Sequence, residues 1–134
     1  MRTKLLSICT IVFGLLLCSF KADTSLNDPW PVPEKYQNMK NPLSGDKESI
    51  AIGKTLYIKH CKSCHGKEGL GDGPKAAQLD TPSGDFTDEV FQSQTDGAIF
   101  YKTFEGRDDM PGFKKKIPDA EDIWSLTNYL RTLE

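Results

Sequence analysis

The run CKSCHG places Cys61, Cys64 and His65 within five residues, and it constrains this chain more than any other feature. Cys61 and Cys64 stand three apart, so on a helix their thiols project from one face. Two thiols and one imidazole make an incomplete site. The other cysteines of the 134-residue chain are Cys9 and Cys18, both in an apolar N-terminal run, and the other histidine is His60.

Three chemistries compete for this cluster. A structural zinc site takes four ligands, and beyond these three the sequence after residue 22 offers only His60, which directly precedes Cys61. A dithiol redox site places its pair at a helix N-terminus in a βαβ setting. Here the pair falls at the C-terminal end of a helical pattern with no strand pattern in view. The third reading is covalent haem attachment, for which C-x-x-C-H is the signature. Two thiols one turn apart can add to the two vinyl groups of a porphyrin edge, and the next histidine then lies over the iron as axial ligand. The haem reading is the favoured one, with a haem c attached through Cys61 and Cys64.

A sixth ligand is the next requirement. After residue 22 the methionines are Met39 and Met110. Met110 sits in DDMPGF, 45 residues beyond His65 and inside an irregular stretch, where Pro111 stiffens the backbone beside a soft thioether. An ordinary core role for Met110 is the alternative. His60 is tied to the thioether side of the ring and is a poor candidate.

The N-terminus has Arg2 and Lys4 followed by an uncharged apolar run over residues 5–20. That layout predicts an export signal over 1–22, and the run is short for a bilayer-spanning helix, which takes about 20 residues. An uncleaved anchor and lipid attachment at Cys18 remain open, since no clean small-x-small cleavage site precedes Ala22 and Leu17 is not the small residue a lipoprotein signal carries. Cleavage would remove Arg2, Lys4 and Lys21 and no acid, leaving 14 basic residues against 19 acidic and a net charge of −5. That balance argues against a nucleic-acid partner, which calls for a basic stripe. The expected location is the periplasm, with a membrane tether open.

Residues 23–47 are rich in proline and weak in periodicity, so they read as a linker or lead-in strap, and the domain is expected over 48–134. Within it, apolar residues at 50, 52, 56 and 58 predict a helix over about 49–61 with Ser49 as N-cap. Gly53 inside that helix suggests a close backbone neighbour. Residues 66–84 read as loop. FTDEVFQSQ and TDGAIFYKTFEG read as two short helices, the second between Thr95 and Gly106, and Ile123, Leu126, Leu130 and Leu133 share one face of a last helix. With no alternating pattern, the expectation is an all-α domain wrapped around one haem.

On CKSCHG, Pro74 in GLGDGP, MPGF with Met110, and Gly53 and Tyr57 facing Leu126 and Tyr129, the chain resembles class I c-type cytochromes over roughly 48–134. The resemblance implies a cytochrome c-like fold in which the first and last helices cross. It further implies that Pro74 offers its carbonyl to the proximal histidine, and that Trp124 backs the haem pocket or a propionate, a plain core role being the alternative. Phe86, Ile99, Phe100 and Phe104 line the crevice in an otherwise polar stretch. The function implied is one-electron transfer rather than catalysis, exchanged with redox proteins or a respiratory complex. The competing reading is a haem domain with a labile methionine, acting as peroxidase or gas sensor. A third is a non-haem interaction module. Lys114, Lys115 and Lys116 follow the Met110 loop, either as a patch steering acidic partners or as a solvated charge run.

Overall fold

Residues 30–134 are described in a computed structural model, and Pro31–Glu134 form a compact unit. The expected export signal over 1–22, with Cys9 and Cys18, lies outside the described residues. The unit contains six helices: α1 (Glu34–Gln37), α2 (Lys47–His60), α3 (Lys62–His65), α4 (Glu89–Gln92), α5 (Asp96–Glu105) and α6 (Ala120–Leu130), with 3-10 turns at Ala76–Gln78 and Arg131–Leu133. Among the described residues there is no strand, only an isolated bridge between Arg107 and Met110. No helix among them is long and apolar enough to cross a membrane.

The helix starts follow from capping chemistry. The Asp46 carboxylate accepts from the Glu48 and Ser49 amides, so α2 begins at Lys47 and its cap is Asp46 rather than Ser49. Ser49 is buried instead, donating to the Asp46 carbonyl. Thr95 caps α5 through the Ala98 amide at 3.1 Å, and Asp119 caps α6 through the Glu121 amide at 2.9 Å. FTDEVFQSQ gives only the single turn α4, started by Asp88, whose carboxylate accepts the Val90 amide.

α2 and α6 cross at Gly53. A β-carbon there would overlap the Ser125 carbonyl, and the Tyr129 β-carbon lies just beyond. The close approach buries Tyr57 and Leu126 almost completely, with the Tyr57 and Tyr129 rings 5.2 Å apart. One apolar cluster gathers Tyr57, Phe86, Ile99, Leu126, Tyr129 and Leu130; a second gathers Phe100, Phe113, Ile117, Ile123 and Trp124. Leu56 packs against both.

The lead-in is held as a strap, one of the readings its sequence left open. The Tyr36 ring of α1 lies 4.7 Å from that of Tyr101 and 6.5 Å from that of Phe100 on α5. Gly97 lets the strap sit close, since a β-carbon there would overlap the Tyr36 carbonyl. Asn41 donates to Asn128 at 2.7 Å and to Asp96 at 3.0 Å, and Asn128 in turn donates to the Leu43 carbonyl and the Ser49 hydroxyl. Proline density and weak periodicity are compatible with either a linker or a strap. The contacts are made by single aromatic and amide side chains, which carry no period, and the compact unit includes the lead-in from Pro31.

Candidate functional site

Cys61 closes α2, its amide donating to the Tyr57 carbonyl at 2.8 Å, and the chain turns at once into α3. The amides of Cys64 and His65 both donate to the Cys61 carbonyl, at 3.1 and 3.0 Å. Both cysteines and the histidine are thereby held on a single turn. Gly66 ends α3 at φ +82°, a left-handed conformation that glycine adopts without strain, and its carbonyl accepts the Tyr57 hydroxyl at 2.8 Å. The glycine-rich stretch then folds back over α3: Gly71, Gly73 and Lys75 donate their amides to the carbonyls of His65, Cys64 and Ser63. Those are carbonyls a helix end leaves without internal partners.

The electrostatics separate the three chemistries. Cys61 and Cys64 are free thiols. Burial, with the neighbouring Cys64, pushes the Cys61 thiol up to about 12, so it holds its proton and is a poor match for thiolate redox chemistry. Burial lowers His65 to about 4, only partly opposed by the nearby Ser83 main chain, which leaves a neutral imidazole at physiological pH. No group of three or more His, Cys, Asp or Glu side chains suited to hold a metal ion occurs among the described residues. The CKSCH side chains therefore do not converge as zinc ligands. They fit a haem: two free thiols and one neutral imidazole, whose buried Nδ1 has no side-chain hydrogen-bond partner within the protein. Phe86 stacks on the His65 ring, centroids 4.3 Å apart and planes 22° from parallel, which fixes the plane of the imidazole.

Pro74 is exposed, in the segment between the Gly73 and Lys75 bonds to α3. Met110 is half-buried against the second cluster, whereas His65 stacks on Phe86 of the first. Its backbone is fixed in a tight turn, with Arg107 and Met110 exchanging amide-to-carbonyl bonds of 2.9 Å and Asp108 at φ +51°. Phe86, Ile99 and Phe100 are buried, Phe104 packs on the second cluster, and Trp124 lies 4.3 Å from Phe100, centroid to centroid, inside that cluster. Lys114 pairs with Glu105 at 2.6 Å, and Lys116 lies over the Phe113 ring at 5.7 Å.

Two features had no signal in the sequence. The Asp109 carboxylate accepts the Thr81 amide at 2.9 Å, joining the Met110 turn to the loop that passes His65. Ser83, in that loop, is a lone serine in TPSGD with no motif around it; its hydroxyl is buried without a partner.

Comparison with known proteins gives a consistent match. The Cytochrome c family model matches residues 50–134. Quinohemoprotein alcohol dehydrogenase ADH IIB of Pseudomonas putida is 32% identical over 80 residues, which is 58% of this chain and 11% of that protein. Among solved structures, the reducing HAO-like protein complex of Kuenenia stuttgartiensis superposes with a TM-score of 0.64 at 28% identity, covering 81% of this chain and 52% of that one. The KustC0563 c-type cytochrome superposes with a TM-score of 0.54 at 30% identity, covering 61% and 96%. The chain thus spans about half the length of the Kuenenia chain and 11% of the dehydrogenase.

Proposed function

We propose, from the premise that this chain belongs to the cytochrome c family, that it is a one-electron carrier whose iron is held by His65 and Met110. The family carries a covalently attached haem c, and Cys61 and Cys64 are the attachment pair here. When bound, that group supplies a one-electron iron couple, and imidazole with thioether favours a relatively high potential.

The observation that carries the reading is His65. Its imidazole is neutral, its plane is set by Phe86, and its buried Nδ1 has no side-chain hydrogen-bond partner. A neutral histidine presents one bare nitrogen to a metal and keeps a proton on the other. Nδ1 as the proton-bearing atom leaves Nε2 for the iron. The Arg107–Met110 turn fixes the backbone that carries the thioether, and Met110 packs against the aromatic second cluster. A site with both axial positions filled from the protein has no open place for substrate.

Residues 1–22 are proposed as an export signal, which fits a periplasmic carrier because thioether attachment belongs to exported chains. The partners proposed are larger redox proteins, in keeping with relatives that are a dehydrogenase and a multi-protein complex. The optical spectrum of the purified oxidised protein tests the ligation. A weak band at the red end, from iron bound to a methionine sulphur, is expected, and Met110→Ala should abolish it and open the iron to carbon monoxide. Ready binding of carbon monoxide by the unaltered protein would instead support the peroxidase or gas-sensor reading.

A further inference from the structure

The loop that carries Met110 runs over 106–112, and its two ends meet main chain to main chain. A β-carbon at Gly106 would overlap the Gly112 amide nitrogen and the Met110 carbonyl, and one at Gly112 would overlap the Glu105 carbonyl. Gly106 has φ +72°, so glycine is needed there for its conformation as well as for room. Beyond the loop the chain returns along the end of α5. The Phe113 amide donates to the Thr103 carbonyl at 3.1 Å and the Lys114 amide to the Phe104 carbonyl at 3.3 Å, taking up carbonyls from the last turn of that helix.

A side-chain tie lies across the same base. Lys114 Nζ donates to Glu105 Oε2 at 2.6 Å, joining the last residue of α5 to the second residue after the loop. The same ammonium lies 5.9 Å from the centroid of the Phe104 ring, and Phe104 packs with Met110 on the second aromatic cluster. Its sequence neighbours stand differently: Lys116 lies over the Phe113 ring at 5.7 Å, and Lys115 is exposed. The three lysines therefore do not form one uniform charge run. We propose that the Glu105–Lys114 ion pair latches the Met110 loop shut, which makes both residues positioning residues for the sixth ligand. With the pair broken, the loop can lift at Gly106 and Gly112, and Met110 spends more time away from the iron. Both partners are partly exposed, so the latch shifts that balance a few-fold rather than by orders of magnitude.

The inference rests on Met110 being the iron ligand, and two readouts on the oxidised, haem-loaded full-length protein separate the two claims. Imidazole competes for the position Met110 holds, and its apparent affinity should rise about two- to fivefold in Lys114→Gln and in Glu105→Gln, the change that one partly exposed ion pair makes in an equilibrium. The double variant should add little to either single one, and the exchanged pair Glu105→Lys with Lys114→Glu should restore the parent value. Lys115→Gln should bind imidazole as the parent does. High salt should narrow the gap between parent and single variants. Single effects that multiply in the double variant, or an exchanged pair that restores nothing, would overturn the latch. The second readout is amide exchange, which does not depend on what binds the iron: the Met110 and Phe113 amides should exchange about two- to fivefold faster in Lys114→Gln, with α2 unchanged. Faster exchange with unmoved imidazole affinity would overturn Met110 as ligand and, with it, the positioning role, leaving the pair a contact that closes the loop. If neither readout moves, the latch itself is overturned and the ligation stands apart from it.

Discussion

The hydroxyl of Tyr57 donates to the carbonyl of Gly66 across 2.8 Å, tying the helix that carries Cys61 to the turn that ends the cysteine–histidine motif. Tyr57 is fully buried, and burial, with the nearby Cys61, Tyr129 and acidic groups, drives its hydroxyl well above the usual range, so the phenol stays protonated and available as a donor. Tyr57→Phe keeps the ring in the core and removes only this bond, leaving a buried carbonyl without a partner. The expected cost is about 1–3 kcal/mol in denaturant unfolding of the haem-loaded protein. An unchanged midpoint would show that the Gly66 carbonyl finds another donor.

Gly53→Ala tests the helix crossing. The added methyl meets the Ser125 main chain, which cannot swing aside as a flexible side chain could. Separation of α2 from α6 should cost roughly 1–3 kcal/mol, typical of overpacking, against the gain a helical alanine normally gives. Lys54→Ala, one residue on and exposed, serves as control and should change stability little. A Gly53→Ala protein as stable as the parent would mean that the helices can part without loss.

How much of this was legible in the sequence depends on whether an interaction leaves a period or a spacing. C-x-x-C-H is a fixed spacing, and the crossing of α2 and α6 showed itself through Gly53 and the apolar face of Ile123, Leu126 and Leu130, all of which pack as that pattern implied. The Thr95 cap and Gly106 stop bounded α5 correctly, because both rest on local backbone chemistry. The strap over 31–47 left no such trace. Tyr36, Asn41 and Asn128 meet across 55 to 87 residues of sequence through single side chains. Ser83 was silent for the same reason: its place beside His65 comes from how two loops lie against each other.

Asn128 is the test of that strap. Its amide nitrogen donates to the Leu43 carbonyl and to Ser49, while its oxygen accepts from Asn41, so one buried side chain joins α6, α2 and the lead-in. Asn128→Ala should leave several buried groups unpaired and cost about 2–4 kcal/mol, more than a single neutral hydrogen bond. Amide exchange should quicken in α1 and the start of α2 ahead of the rest. If exchange quickened uniformly instead, the strap would be part of one cooperative core rather than a separately held element.

The bond between Asp109 and the Thr81 amide predicts a functional effect with only a small cost in stability. It is solvent-exposed, so Asp109→Ala leaves both groups to water and should lower unfolding stability by no more than about 1 kcal/mol. Its ends, however, sit in the turn carrying Met110 and in the loop passing His65. On the proposed His65–Met110 ligation, loosening it should favour states in which Met110 has left the iron. Exogenous imidazole added to the oxidised protein competes for that position, and its apparent affinity should rise by about three- to tenfold, the equilibrium change from one modest hydrogen bond. Asp109→Asn retains an oxygen that can accept the same amide and should behave almost as the parent does. If Asn matches Ala instead, the carboxylate acts through its charge on the neighbouring Arg107 and Asp108 rather than by clasping the loops. If neither substitution changes imidazole binding, the Met110 turn holds its ligand unaided, and the reciprocal bonds between Arg107 and Met110 suffice.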